Sequence, residues 1–301
     1  MSGEPHVWPG PVPDPARPVL LAGPTASGKS AVALALARAQ GRAVVNADAL
    51  QVYGMWRVLT ARPTEAEARQ APHLLYGHVG YGDYSVGHWL REVADLLRDH
   101  PNPVIVGGTG LYFNALTRGL APIPPVPEAV RERSEARLRD DGAGALLAEL
   151  DAETAARIDR ANPARIQRAW EVLQATGRGL AAWQAETPTP LLPVSAVAAA
   201  LVLRPDPDWL GARIDSRFDT MLARGALDEV RAVLPHWDAR APWARAIGAP
   251  ELVAHLQGDM ALSDAAAAAR LATRQYAKRQ RTWFRNRMAG WQSVTLPDPT
   301  Q

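Results

Sequence analysis

The sequence predicts an α/β fold: a P-loop NTPase-like parallel sheet core carrying an all-helical insertion domain. Three observations lead there. The stretch "LLAGPTASGKS", residues 20–30, holds the pattern G-x-x-x-x-G-K-S between an apolar run and a helical one. Short apolar runs then alternate with helical patterns as far as residue 120, which implies a parallel sheet covered on both faces. The texture changes between the proline-rich stretches "LAPIPPVPEAV" and "TPTPLLPV", where helix follows helix without a strand pattern. An apolar run, "AVAAALVLRP", follows.

Taken in order, residues 1–17 are rich in proline and lack the basic and apolar regions of a signal peptide, so they read as a disordered leader. The first part of the core is expected over 18–120. "PVLLA" is a buried parallel strand, and "KSAVALALARAQ" is a helix ended by Gly41. "AVVNA" is a second strand and "HLLYGHV", residues 73–79, a third. Ser85 caps the amphipathic helix "SVGHWLREVADLLRDH". "PVIVGGTG" is another strand running into glycines. The helical insertion is expected over 121–192, and the second part of the core over 193–301, with one more strand and then helices ending in a basic stretch.

Composition narrows the chemistry. The chain has 301 residues, 47% hydrophobic and 21% charged, enough to bury a sizeable core. It has no cysteine, which excludes disulfides, thiolate metal sites and a cysteine nucleophile. The longest apolar runs, such as "SAVAAALVL", are too short to span a bilayer, so no membrane contact and a cytoplasmic location are expected. Net charge is only +2, yet Arg270, Arg274, Lys278, Arg279, Arg281, Arg285 and Arg287 share one stretch without an acid. Lysine occurs only at Lys29 and Lys278, so a lysine inside the phosphate loop stands out.

Four segments carry chemistry. In Gly23, Pro24, Thr25, Ala26, Ser27, Gly28, Lys29 and Ser30, backbone amides and a helix N-terminus can converge on phosphate oxygens. Lys29 would reach those oxygens and the Ser30 hydroxyl would sit on Mg²⁺. Asp48, after the second strand, lies at the carboxyl edge where α/β sheets bind ligands. It can act as general base or magnesium ligand, and a turn or N-cap aspartate would look the same. Thr109, in a third glycine turn, can bind a phosphate or substrate or simply cap a helix. The last helix repeats basic residues every four positions and interleaves Tyr276, Trp283 and Phe284, as a surface for unpaired RNA would, or as a solvated face over core aromatics would. The histidines form no pair with metal-ligand spacing.

Together "GPTASGKS", "NADALQVY", "LTARP", "APHLLYGHV", "GGTGLYFNAL", "RIDRANPARIQRAWEVLQATG", "RIDSRFDTMLARGALDEV", "AIGAPEL" and "TRQYAKRQRTWFR" resemble, in order, the bacterial tRNA isopentenyltransferase family. The joint match covers residues 23–285, whereas the first loop alone is shared with countless NTPases. The resemblance implies transfer of a dimethylallyl group from dimethylallyl diphosphate to N6 of the adenosine 3′ of the anticodon, with diphosphate leaving. It implies Asp48 as the base, Thr109 near the reacting centre, and Thr25 and Arg217 helping to hold the diphosphate. It gives the tRNA anticodon stem-loop a contact set of Asp48, Ala49, Leu50, Gln51, Thr109, Arg131, Ala164, Arg165, Ile166, Gln167, Arg168, Arg245, Gly248, Lys278, Arg279, Gln280, Arg281, Trp283 and Arg285. Mg²⁺ is the implied cofactor, and nothing in the sequence demands more than a monomer.

The chain departs from the family pattern in places. Ala49 stands where a serine is usual after the aspartate, and Arg62 where a lysine is usual. Ala249 and Pro250 follow the glycine of "AIG", where a tyrosine is frequent, and the aspartate common after "HL" is replaced. Two other readings of the residues are a small-molecule or nucleotide kinase on the same core, and a nonenzymatic RNA-binding protein with a relic loop. The arginine-rich insertion and basic helix argue against the first. The coexistence of the loop, Asp48 and Thr109 argues against the second.

Overall fold

The computed structural model describes residues 8–296. Strand β1 (Val19–Ala22) is buried along its whole length, as are β2 (Val44–Asn46) and β4 (Val104–Gly107). Side chains alternate across a strand. Thus Val19, Leu21, Val44, Val104 and Val106 join one core cluster, and Leu20, Ala22, Val45 and Ile105 another. With β3 (His73–Leu74), β5 (Ala199–Pro205) and β6 (Gln292–Leu296) they form one parallel sheet in the order β3-β2-β4-β1-β5-β6. Helix α1 (Lys29–Gln40) covers the first face through Val32, Ala33, Leu36 and Ala37. It ends at Gly41, whose φ of 63° suits glycine.

A short helix, α2 (Glu65–Ala68), precedes β3. The second face is covered by α3 (Val86–Asp99) and α4 (Gly110–Arg118), through Trp89, Val93, Phe113 and Leu116. The chain leaves β1 for β2 on one side and later passes from β4 to β5 on the other. The crevice therefore opens between the carboxyl ends of β1 and β4.

Three expectations are corrected. The third strand pairs only over His73–Leu74, because Leu75 (φ 60°) and Gly77 (φ 62°) turn the backbone away, leaving one bridge from Val79 to Tyr53. Strand β6 was not anticipated: its short, mostly exposed, polar-rich run suits a sheet edge. The leader is not disordered over 8–17. Arg42, 1% exposed, donates to the carbonyls of Asp14 (2.6 Å), Arg17 (2.7 Å) and Asn102 (2.8 Å), and to Gln40 Oε1 (2.6 Å). Gln40 reaches the Pro13 carbonyl, and Asn102 that of Pro15. Residues 1–7 lie outside the described residues.

The chain divides into two compact units, residues 1–117 with 192–301, and Arg118–Leu191; the insertion had been expected over 121–192. The insertion contains α5 (Glu128–Asp140), α6 (Gly142–Ala148), α7 (Ala152–Arg157), α8 (Pro163–Thr176) and α9 (Leu180–Ala185). Its own core is built on Val130, Leu146, Ile166, Ala169 and Trp170. Asn162 caps α8, with Pro163 preset for its first turn.

The first unit is completed by α10 (Pro207–Ala223), α11 (Ala226–Val233), α12 (Ala249–Gln257) and the 26-residue α13 (Leu262–Arg287). These helices pack around Trp56, Phe218 and Trp243, whereas the end of α13 adds Phe284 to the second sheet face.

Candidate active site

The loop after β1 is shaped by two left-handed residues, Ala26 (φ 62°) and Gly28 (φ 85°), and such a turn gathers successive amides into a concavity suited to anions. Arg213 Nε supports the strained Ala26 by bonding its carbonyl at 3.0 Å. The Ser27 hydroxyl is buried and has no partner among the described residues. A Cβ on Gly23 would come within 2.8 Å of it, so glycine keeps this interior open. Ser30 is exposed at the start of α1.

Lys29 is only 9% exposed and bonds the Pro24 carbonyl at 3.2 Å. Burial pushes its ammonium down to about 8; Asp48 pulls the value up, and Arg217 pushes it further down. The Arg217 guanidinium is also depressed, first by burial, with Asp48 opposing and Arg213 adding. Two desolvated cations that repel each other favour an anion between them.

Asp48 is held by an Asx turn: its Oδ1 accepts the Leu50 N–H at 3.0 Å, and its own N–H goes to Asn46 Oδ1 at 2.9 Å. Asn46 Nδ2 secures the Asp48 and Leu75 carbonyls. The turn uses one carboxylate oxygen; a Cβ on Gly108 would lie 3.2 Å from the other, Oδ2. The turn reading and the functional reading of Asp48 are thus compatible. Gly107 lets β2 and β4 approach, since a Cβ there would fall 2.0 Å from the Ala47 carbonyl. Thr109 follows, accepting the Ala49 N–H on Oγ1 at 2.9 Å. Tyr276 on α13 lines the same cleft as Asp48; burial, with Asp48 adding, pushes its hydroxyl well above the ordinary tyrosine range. Gln51 Nε2 is tied to the Thr60 and Ala61 carbonyls.

One cleft of about 680 Å³ brings together residues 25–31, Asp48, Leu50, Gln51, Arg217 and Tyr276, and its lining does not include Thr109. Ile214, Phe218, Met221 and Ile247 give it an apolar wall. No group of three or more His, Asp or Glu residues that could hold a metal exists among the described residues. Mg²⁺ keeps several waters and takes few protein ligands, so Ser30 in this cleft, with oxygens of a bound phosphate, fits it.

The expected RNA set divides. Arg245, Lys278, Arg279 and Arg285 are exposed; Ala49, Arg281 and Arg131 are half-buried, and Arg131 pairs with Glu128. In the insertion, Ala164, Arg165 and Arg168 are exposed, and Gln167 donates to Ser134 Oγ.

Four members of the expected set turn toward the protein interior rather than outward. Ile166 is 1% exposed, in the insertion core. Gly248 is buried at φ 96° against Leu59 and Phe218. Trp283 packs its indole on Gly110, with Nε1 buried. Gln280 is 5% exposed, and its amide bonds main-chain groups. Arg270 and Arg274, part of the basic stretch, pair with Asp219 and Asp215. Arg62, the departure from lysine, bonds the Trp56 and Gly54 carbonyls at 3.0 Å and covers Gly77. Asn46 and Arg213 went unassigned in the sequence, and Tyr276 was read only as an aromatic of the basic helix; Asn46 ends a strand, and Arg213 precedes Arg217 by one helical turn.

Known proteins are similar to this chain over most of its length. The family described as IPP transferase matches residues 51–287, and the one described as isopentenyl transferase matches residues 17–75. A protein of Cereibacter sphaeroides named tRNA dimethylallyltransferase is 68% identical over 284 residues, covering 94% of this chain and 90% of that protein. The crystal structure of the full-length tRNA isopentenylpyrophosphate transferase from Bacillus halodurans is similar at a TM-score of 0.66 and 30% identity, over 93% of this chain and 90% of that one. A eukaryotic dimethylallyltransferase, captured acting on tRNA, shares the fold at a TM-score of 0.76 and 24% identity, over 94% of this chain and 75% of that one. With most of its length matched, this chain belongs to the IPP transferase family.

Proposed function

We propose that this chain is a tRNA dimethylallyltransferase: it transfers a dimethylallyl group from dimethylallyl diphosphate to N6 of the adenosine 3′ of the anticodon and releases diphosphate. One observation carries the reading. A phosphate loop with two desolvated cations, a carboxylate and an apolar wall share a single cleft. The loop amides, Lys29 and Arg217 hold the diphosphate, and the wall of Ile214, Phe218, Met221 and Ile247 takes the five-carbon chain.

The allylic C–O bond breaks, its electron pair leaves on diphosphate, and the N6 lone pair forms the C–N bond. The amine is a weak nucleophile, so Asp48 Oδ2 takes the N6 proton as that bond forms. Lys29, Arg217 and the loop amides stabilise the charge growing on the leaving group. Ser30 would hold Mg²⁺, which when bound would supply Lewis-acid neutralisation of that charge. Extruding the adenosine from its stack costs roughly a few kcal/mol. The exposed arginines of α8 and the cations of α13 supply phosphate contacts that offset this.

The enzyme works as a cytoplasmic monomer in this reading; no helix among the described residues is long and apolar enough to cross a membrane. The test is incubation with unmodified tRNA and labelled dimethylallyl diphosphate. Label in tRNA is the expected result. ATP turnover without label would favour a kinase, and RNA binding without either would favour a binding protein.

A further inference from the structure

Helix α13 presents Lys278, Arg279 and Arg285 outward, and Gln280 lies among them in sequence. Its side chain, however, points inward and is 5% exposed. Oε1 accepts the Thr25 N–H at 2.9 Å, and Nε2 donates to the Gly108 carbonyl at 2.8 Å. Those two groups belong to the loops that follow the adjacent strands β1 and β4. Direct pairing between these strands ends nearby, with Gly23 N–H on the Gly107 carbonyl at 3.3 Å. Beyond it the loops diverge, and the Gln280 amide continues the ladder as an inserted rung, accepting from one loop and donating to the other.

The space for that rung is reserved. A Cβ on Gly108 would lie 2.3 Å from Gln280 Nε2 and 3.2 Å from Asp48 Oδ2. The amide and the carboxylate therefore flank the same missing side chain. Tyr276, one turn earlier on α13, lines the cleft that Asp48 also lines.

We infer that Gln280 is a positioning residue for the transfer reaction: it fixes the spacing between the diphosphate loop at Thr25 and the Gly108–Thr109 turn beside Asp48, and it does not contact RNA. The inference rests on the function proposed above. Misplacement of reacting groups by about 1 Å can cost roughly 100-fold in rate. Both partners are main-chain groups, so they remain in place when the amide is lost.

Two variants test this. Gln280→Met keeps the length and removes both bonds. Its kcat should fall about 100-fold, while its affinity for the tRNA, measured without donor, stays within about twofold. Gln280→Glu keeps an acceptor for Thr25 but sets a carboxylate oxygen against the Gly108 carbonyl. Protonation restores a donor in the original shape, so its activity relative to the wild type should rise as pH falls.

A tenfold loss of tRNA affinity with kcat intact at saturation would make Gln280 an RNA contact and overturn the inference. Unchanged kinetics in Gln280→Met would overturn it too. If melting shows that the Met variant is unfolded, the Glu variant decides: a flat activity ratio across pH overturns the inference. Wild-type protein that transfers no label defeats the proposed function and the inference together, whereas active wild type with insensitive variants defeats the inference alone.

Discussion

In the insertion, Arg137 bonds Asp141 at 2.8 Å and Glu149 at 2.7 Å, Arg157 meets Glu153 at 2.9 Å, and Arg178 meets Glu186 at 2.6 Å. In the sheet core, Lys29 is buried with the half-buried Arg217 nearby, and Lys29 bonds only a carbonyl. The first set is neutralised locally, mostly by acids within a turn or two, in water. Such pairs contribute little to stability because solvent already screens them. The second set is desolvated and undercompensated, which raises the energy of the empty site and lowers that of a site holding an anion. Counting arginines therefore misleads: the insertion has many, but the core cations hold the greater potential for binding.

The sharpest break of this contrast is Asp48→Ala. It removes the carboxylate that opposes both core cations and that takes the N6 proton in the proposed reaction, so kcat should fall about 1,000-fold while tRNA affinity survives. Label transfer and a binding titration separate the two, and full activity would sink the assigned role. Lys29→Ala comes next, with donor KM raised roughly 100-fold, as for other buried charge contacts.

In the wild type, Lys29 carries its proton below about pH 8 and loses it above. Donor affinity should thus be greatest below that pH and decline as pH rises through it, and the decline should vanish in Lys29→Ala. Isothermal titration with inorganic diphosphate at several pH values reads this directly.

On the RNA side, the exposed Arg165 and Arg168 have looser pairs at 3.9 and 3.5 Å, so their guanidiniums can exchange a carboxylate for a phosphate. Arg165→Ala with Arg168→Ala should weaken tRNA binding severalfold and lower the salt slope by about 2. The smallest effect belongs to Arg157→Ala, which opens a well-formed surface pair. Its melting temperature should stay within about 1 °C, and a larger shift would show that the insertion relies on its surface pairs.

Local features of the core were legible from residues alone. The loop of residues 23–30 lies between a strand and a helix as its pattern requires, and Asp48 and Thr109 fall at the sheet edge where strands end. What stayed hidden was made by distant partners. Thr25 and Gln280 are 255 residues apart, and no local pattern links them. Within α13, motif matching treated residues 278–285 as one contact surface, although helical geometry turns Gln280 and Phe284, four apart, inward together. The same oversight placed Ile166 among RNA contacts despite its place on the apolar stripe of α8. Strand β6 escaped because an exposed edge strand carries little apolar signal.

Arg42 sets where the chain can safely be shortened. A polypeptide beginning at Pro18 would still contain every strand and the whole phosphate loop, and it would look like a clean excision. It would also strip the Arg42 guanidinium of the Asp14 and Arg17 carbonyls in a buried setting. Each donor left unmet costs about 1–3 kcal/mol, so such a chain should express as a fragile protein. Fusions joined ahead of residue 8 leave the four acceptors in place, which makes that junction the better one for attaching a tag or a solid support.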